Sequence, residues 1–211
     1  MRFEHMKKVM MTLVILMAAT SMTMAQQREG TFTAQPKVGV NMSTLSDADK
    51  AIFDLNFGIE GEYMLTDNIG LAAGLIMSNQ GAKYNADGVI DEYTADLDYA
   101  NVPITLNYYI LPGLALKAGV QPGFKVKAKI KTNGASMDVD EYYKRINLIG
   151  GTDYKIYPFD LSIPVGISYE YNNIVIDARY NYGLTKVGNM GDPFYNRVFQ
   201  LTLGYKLPLD L

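Results

Sequence analysis

The chain has no cysteine, and its one histidine is His5. The first absence excludes disulfides and a lipid-modified cysteine anchor. His5 falls in a stretch read below as a removable leader, so the rest of the chain has neither imidazole nor thiol. That removes most structural zinc sites and every catalytic scheme that depends on His or Cys. Long apolar runs are also missing. The longest, Val9–Ala19, has 11 residues, short of the roughly 20 that a membrane-spanning helix needs. No glycine-rich phosphate loop of the Walker or dinucleotide type is present.

What is there begins with the leader. Arg2, Lys7 and Lys8 make a positive start, Val9–Ala19 the apolar middle, and Thr23-Met24-Ala25 a small-residue cleavage site. This is the pattern of a secretory signal peptide. We expect residues 1–25 to be removed, 26–36 to form a polar lead-in and 37–211 to form one domain. Met6-Lys7-Lys8 makes an equally complete positive start, so Met1 and Met6 both stand as initiators. Removing residues 1–25 leaves 16 basic and 21 acidic side chains, a net charge of −5. Nucleic acid is therefore not expected as a partner, since a basic surplus is the footprint of such binding.

The rest alternates with period two, the signature of strands with one apolar and one polar face. Asp160–Leu184 shows it best. Leu161, Ile163, Val165, Ile167, Tyr169 and Tyr171 alternate with polar or small residues, an Asn172-Asn173 turn follows, and Ile174, Ile176, Ala178, Tyr180 and Tyr182 continue. Similar strands are predicted at Lys37–Thr44, Phe53–Leu65, Leu71–Gln80, Asp96–Ile110, Leu114–Ile130 and Arg197–Leu207. Each strand of the Asp160–Leu184 hairpin is about 11 residues, long enough to cross a bilayer at a tilt. Leu97 and Tyr99 fall on the wrong parity, which predicts a bulge or strand end near Asp98. Pro103, Pro122 and Pro164 sit inside strands and cannot donate to a ladder, so local bulges are expected there.

These eight strands are joined by connections that alternate long and short. That arrangement predicts an all-β, eight-stranded antiparallel up-and-down transmembrane barrel, with the short turns periplasmic and the long loops outside. On the apolar parity, Tyr63, Tyr108, Tyr169, Tyr171 and Tyr205 gather at the short-turn end. Phe53, Tyr180, Tyr182 and Phe199 gather at the other, as interfacial girdles do. The glycines of the strand interiors and charges of both signs share the polar parity. The polar face is therefore expected to point inward, filling a lumen that eight strands leave barely wide enough for side chains. The expected location is the outer membrane of a Gram-negative bacterium.

The run Asn101-Val-Pro-Ile-Thr-Leu-Asn-Tyr-Tyr-Ile-Leu-Pro-Gly-Leu-Ala-Leu-Lys-Ala-Gly-Val-Gln-Pro-Gly123, with Ala178–Thr185 and Asn196–Tyr205, resembles the PorT-like outer-membrane β-barrel domain of Bacteroidetes-type bacteria. The resemblance spans about Lys37–Leu207. It implies an outer-membrane barrel without a cofactor. It also implies, as some members do, service to a secretion system that exports surface proteins. It carries no catalytic motif to transfer.

Several residues are candidates for function. Glu60, Glu62, Lys117, Glu170, Asp177 and Arg179 lie on the inward parity and are expected to form a lumen polar network rather than a catalytic site. No metal site is expected: Asp138-Val-Asp-Glu141 groups three carboxylates, fewer oxygens than Ca²⁺ takes. Lys125, Lys127, Lys129 and Lys131 read as one basic ladder, a hydrated strand extension within reach of lipopolysaccharide phosphates. Tyr142, Tyr143, Tyr154 and Tyr157 crowd the longest expected loop, Lys131–Pro158, and are candidate extracellular contacts. The expected protein is thus non-enzymatic. Its partners would be outer-membrane lipid, lipopolysaccharide and a protein of a secretion or surface complex. The alternatives are a small-solute channel and a soluble periplasmic lipid-binding barrel.

Overall fold

The computed structural model describes residues 28–85, 92–132, 135–150, 153–189 and 193–209. The expected signal peptide lies outside the described residues. The elements run β1 (Phe32–Leu45), β2 (Lys50–Thr66), β3 (Ile69–Tyr84), β4 (Tyr93–Asn101), β5 (Ile104–Leu111), β6 (Leu114–Thr132), β7 (Ala135–Asp138), α1 (Val139–Gly150), β8 (Phe159–Tyr171), β9 (Ile174–Gly183), β10 (Asn196–Tyr205) and β11 (Leu207–Leu209). All pairings are antiparallel, and β1 pairs β10 from Lys37↔Gly204 to Leu45↔Asn196, so the sheet closes on itself. β4 and β5 are two halves of one strand, β11 continues β10 along β1, and β7 folds back on the end of β6. The ring therefore has eight strands, as the alternation predicts.

The strands sort their side chains as expected. Val38, Val40, Leu55, Phe57, Ile59, Leu75, Leu106, Leu116, Val165, Ile176 and Leu203 are exposed, whereas Asn41, Asn56, Thr105, Asn107, Asp177 and Arg179 are buried. An apolar outside around a polar inside is stable only where the outside is hydrocarbon. In that solvent a closed ladder also leaves no unpaired backbone edge. Tyr63, Tyr108, Tyr171 and Tyr205 point outward at one end, and Phe53, Tyr180, Tyr182 and Phe199 at the other.

The short turns are built from the residues their geometry requires. Asn172 and Asn173 have φ of 47° and 68°, the doubly left-handed turn that matches strand twist. Asn173 also donates from Nδ2 to the Lys206 carbonyl at 3.0 Å. Pro112-Gly113 places glycine at φ 78°, the arrangement of a type II turn.

Three expectations are corrected. Phe32–Pro36 of the expected lead-in is strand, paired with Ile59–Tyr63. The expected loop Lys131–Pro158 holds β7 and α1, the helix starting at an Asp138 cap that accepts the Glu141 N–H at 3.1 Å. The in-strand prolines cause no bulge. Register is unchanged from Asn101 across Pro103 to Ile104 against β3, and from Ala118 to Gln121 against β8, where Pro164 interrupts the ladder. The Pro103 and Pro122 carbonyls still accept, from Gly74 N at 3.0 Å and Val102 N at 2.8 Å. A missing donor costs one bond, not the register.

True irregularities lie elsewhere. One residue is added in β6 beside Asp98/Tyr99, where the expected break falls, and one in β2 between Ala51 and Asn56. Past them the faces change character: Leu97, Tyr99 and Ala128 are buried while Lys127 and Lys131 are exposed. The barrel thus has two storeys, apolar-out across the membrane and apolar-in beyond its long-loop rim.

Asn173→Val should destabilise the barrel by about 1–2 kcal/mol, the cost of left-handed backbone in a residue with a Cβ branch. Asn173→Gly should cost less. Urea titration of lipid-reconstituted protein, read as the fraction migrating as the folded form on unboiled gels, measures both.

Candidate functional site: a charged lumen beneath an apolar vestibule

The lower storey is filled by charge. From β9, Asp177 and Arg179 point inward, and Arg179 Nη2 reaches Asp177 at 2.9 Å and Glu60 of β2 at 3.1 Å. Lys117 of β6 meets Asp177 at 2.8 Å, and Lys37 of β1 contacts Glu60 and, at 3.4 Å, Asp177. These five side chains come from four strands spaced around the ring, and all are buried. Toward the short turns, Lys206 bonds Glu62 at 2.7 Å and Glu170 at 2.9 Å, and donates to the Tyr109 hydroxyl at 2.7 Å. Asn107 donates to Glu62 at 2.6 Å. Four cations (Lys37, Lys117, Arg179, Lys206) thus balance four carboxylates (Glu60, Glu62, Glu170, Asp177), so the charge of this network sums to zero.

Small residues make the space. A Cβ on Gly74 would stand 2.6 Å from Glu60 Cγ, and one on Gly70 2.5 Å from Glu62 Oε1. Above the ions lies an amide layer centred on Asn41. Its Nδ2 donates to Ser78 Oγ and the Asn79 carbonyl, each at 2.8 Å, while its Oδ1 accepts from Asn56 at 2.7 Å and Gln200 at 3.0 Å.

The structure brings all six sequence-named lumen residues into this network, in two groups. Lys37 was missed. Its signal was present, since it shares the inward parity of Gly39 and Asn41, but it stands at the end of the predicted strand.

The upper storey is apolar inside. Leu45, Ala82, Leu97, Tyr99, Ala128, Val139, Ile156, Val187 and Phe194 form its core, with Tyr84, Ile130 and Tyr143 packed against it. The core leaves a cavity of about 490 Å³, floored by Leu45 and Leu97 and walled by Tyr84, Tyr93, Tyr142 and Tyr143. Tyr84 and Tyr93 stack at 4.8 Å between ring centres. Tyr84 donates from its hydroxyl to Asp47 at 3.2 Å. Burial pushes the Tyr143 hydroxyl up to about 12. Burial first, then the Asp47 carboxylate, raises Tyr84. Both stay uncharged donors over the physiological range.

Of the four candidate contact tyrosines, Tyr142, Tyr143 and Tyr154 come together, with ring centres 5.6 and 6.3 Å apart. Tyr157 instead follows the Val187 backbone, donating from N at 2.8 Å. The basic ladder is corrected. Lys125 keeps the inward parity of Lys117 and Gln121 and binds Asp140 at 2.8 Å and the Ile156 carbonyl at 3.2 Å, and the extra residue that follows it in β6 turns the later lysines outward. Lys127, Lys129 and Lys131 lie on the outer face, Lys131 paired with Asp96, whose hydrogen bond raises its pKa. Glu141 pairs with Arg145 at 2.7 Å, so the three clustered carboxylates each have a structural partner.

Comparison with known proteins agrees with this architecture. Residues 24–189 match the family described as outer membrane protein beta-barrel domain. Ail, the attachment invasion locus protein of Yersinia pestis, solved with the heparin analogue sucrose octasulfate, is 17% identical. The alignment covers 85% of this chain and 99% of Ail, at a TM-score of 0.50. OprG of Pseudomonas aeruginosa aligns over 88% of this chain and 99% of its own, at 14% identity and a TM-score of 0.48. Neisserial surface protein A aligns over 86% and 100%, at 14% identity and 0.45. No curated protein matches.

Asp177→Ala would leave Lys117, Arg179 and Lys37 facing Glu60 alone. The expected loss is about 3–5 kcal/mol, the cost of stranding buried charge, read as a lower urea midpoint of the lipid-reconstituted barrel.

Proposed function

The chain belongs to the outer membrane protein beta-barrel domain family, and from that premise we propose that it acts without catalysis, by contact at its outer face rather than by conduction. It is an integral barrel of the outer membrane. The soluble periplasmic alternative is thereby overturned: its apolar side chains would face inward, whereas Phe53 is 75% and Leu55 61% exposed.

The observation that carries the reading is the ion-pair layer. An ion crossing the lumen would have to break contacts among eight mutually neutralising charges, seven buried and Glu170 half-buried. Breaking one partner out of such a set costs several kcal/mol. A closed lumen leaves the outer surface as the working part. The absence of His and Cys after residue 5 supports a non-catalytic role. Lys127 and Lys129, on the outward face beyond the membrane rim, suit contact with lipopolysaccharide phosphates.

The finer reading, a PorT-like accessory of protein secretion, is supported by the resemblance of Asn101–Gly123, Ala178–Thr185 and Asn196–Tyr205 to that group. Its test is the surface and secreted proteome of a deletion strain; an unchanged proteome would reject it.

For the closed lumen, wild-type protein that shows the heat-dependent gel shift of a folded barrel should be silent in planar bilayers. Glu60→Ala with Arg179→Ala, which removes a pair and its volume, should conduct if folded. Steady conductance from the wild type would assign the barrel to the small-solute channels instead.

A further inference from the structure

The cavity in the upper storey is a second, independent feature, and nothing in the closed-barrel reading uses it. Its volume, about 490 Å³, falls within the range of roughly 300–1,000 Å³ typical of small-molecule sites. A core that merely braced the loops would be filled, since protein interiors pack to the density of organic crystals. Here the barrel wall and α1 stand apart instead. The parity change is what makes this possible. The added residues in β2 and β6 precede a segment where Ala95, Leu97, Ile130 and Thr132 all line the space.

The lining specifies the ligand. Four tyrosines, Tyr84, Tyr93, Tyr142 and Tyr143, supply flat aromatic walls, and the stacked Tyr84–Tyr93 pair is the broadest of them. Stacked or edge-on rings gain from their quadrupoles beyond the area they bury, and such faces attract a cation. Among the described residues, the one charged side chain in the lining is Asp47, at the exposed rim. Lys125, which a straight strand would have left in a run of lysines, is tied to Asp140 and the Ile156 carbonyl. An anion entering the cavity would meet a carboxylate and no cation among its described lining residues. A flexible acyl chain would use the apolar floor but not the flat walls.

We infer that the vestibule binds a ring-bearing small molecule that is neutral or positively charged, with the ring between the tyrosine walls and any amine toward Asp47. The site is open only to the outside, because the amide and ion-pair layers lie beneath its floor. It therefore captures and holds.

The chain has no tryptophan, so indole fluorescence reports on a probe alone. Wild-type protein in lipid bicelles, which carry no scaffold protein, is titrated with tryptamine, indole and indole-3-acetate against empty bicelles, with decylamine as a competitor. Tryptamine should bind saturably, one per barrel, with indole weaker. Indole-3-acetate should be weaker than tryptamine by at least about tenfold, given the cost of placing like charges together. Ala95→Phe, which fills the cavity from β4, should abolish saturable binding. Asp47→Asn should bring tryptamine down to the level of indole. Three results would each overturn the inference: no saturable binding by protein that retains its gel shift, equal affinity for indole-3-acetate and tryptamine, or undiminished binding in Ala95→Phe. Displacement of tryptamine by decylamine at far lower concentration would assign the cavity to acyl chains and reject the ring. A conducting barrel would reject the closed lumen while leaving this titration to decide the vestibule.

Discussion

Eight charges packed against one another in the lumen are the constraint around which this barrel is organised. Lys37, Glu60, Asp177, Arg179 and Lys117 touch one another across four strands, and Lys206 ties Glu62 to Glu170 below them. Buried charge is tolerable only when each group is paired and its remaining lone pairs or protons are engaged. That requirement propagates outward. It demands glycine at positions 70 and 74, where any Cβ would collide with Glu62 or Glu60. It demands a fixed register, because a slip of one residue would carry the charges to the lipid face. The closure of β1 on β10 brings Lys37 toward Asp177, residues 140 apart in sequence. Closing the ring and neutralising the lumen are therefore one event, energetically coupled.

Hydrocarbon supplies the opposite constraint on the other face, and it ends at the membrane rim. Beyond Phe53 and Phe124 the strands continue into water, where an apolar exterior would be costly and a polar interior needless. The chain answers with one added residue in β2 and one in β6, after which apolar side chains turn in and Lys127, Lys131 and Asp96 turn out. Pairs such as Lys83–Glu92, at 2.7 Å, then cover the outside of the extension. The same strands thus build a membrane protein below and a water-soluble barrel above.

Period-two alternation made the lower storey legible from sequence, because lipid and lumen impose opposite demands on successive residues. It placed eight strands, their turns and six of the eight lumen charges. Lys206 was legible by the same parity, and Lys37 was passed over as the first residue of its predicted strand, whereas β1 begins five residues earlier at Phe32. The upper storey was less legible for a physical reason. A bulge reverses the meaning of every later position, so Lys125 and Lys127 looked equivalent until the extra residue separated them. Leu97 and Tyr99 carried the warning, being apolar on the polar parity. α1 was missed because its helix is short, and its cap, Asp138 with Glu141 three residues on, reads equally well as an acidic cluster in a loop. The prolines misled in the other direction, since a closed ladder absorbs a lost donor more cheaply than a lost register.

The division into storeys also divides the work the molecule can do. Within the membrane, shape and charge are both used up: the outer face belongs to lipid and the inner face to its own ion pairs. Nothing there is free to engage a partner without dismantling the fold. Above the rim, conversely, Tyr84, Tyr93 and the outward lysines are held by the sheet and Tyr142 and Tyr143 by α1, with Asp47 in the turn between β1 and β2. Binding groups mounted on rigid elements lose less entropy on contact than groups on mobile loops. A barrel with a plugged lumen and a preformed cup on its outer end is, on these grounds, a platform whose specificity is set by the cup and whose stability is set by the plug. The two can vary independently, because the amide layer lies between them, centred on Asn41, whose own donors and acceptor are all engaged within that layer.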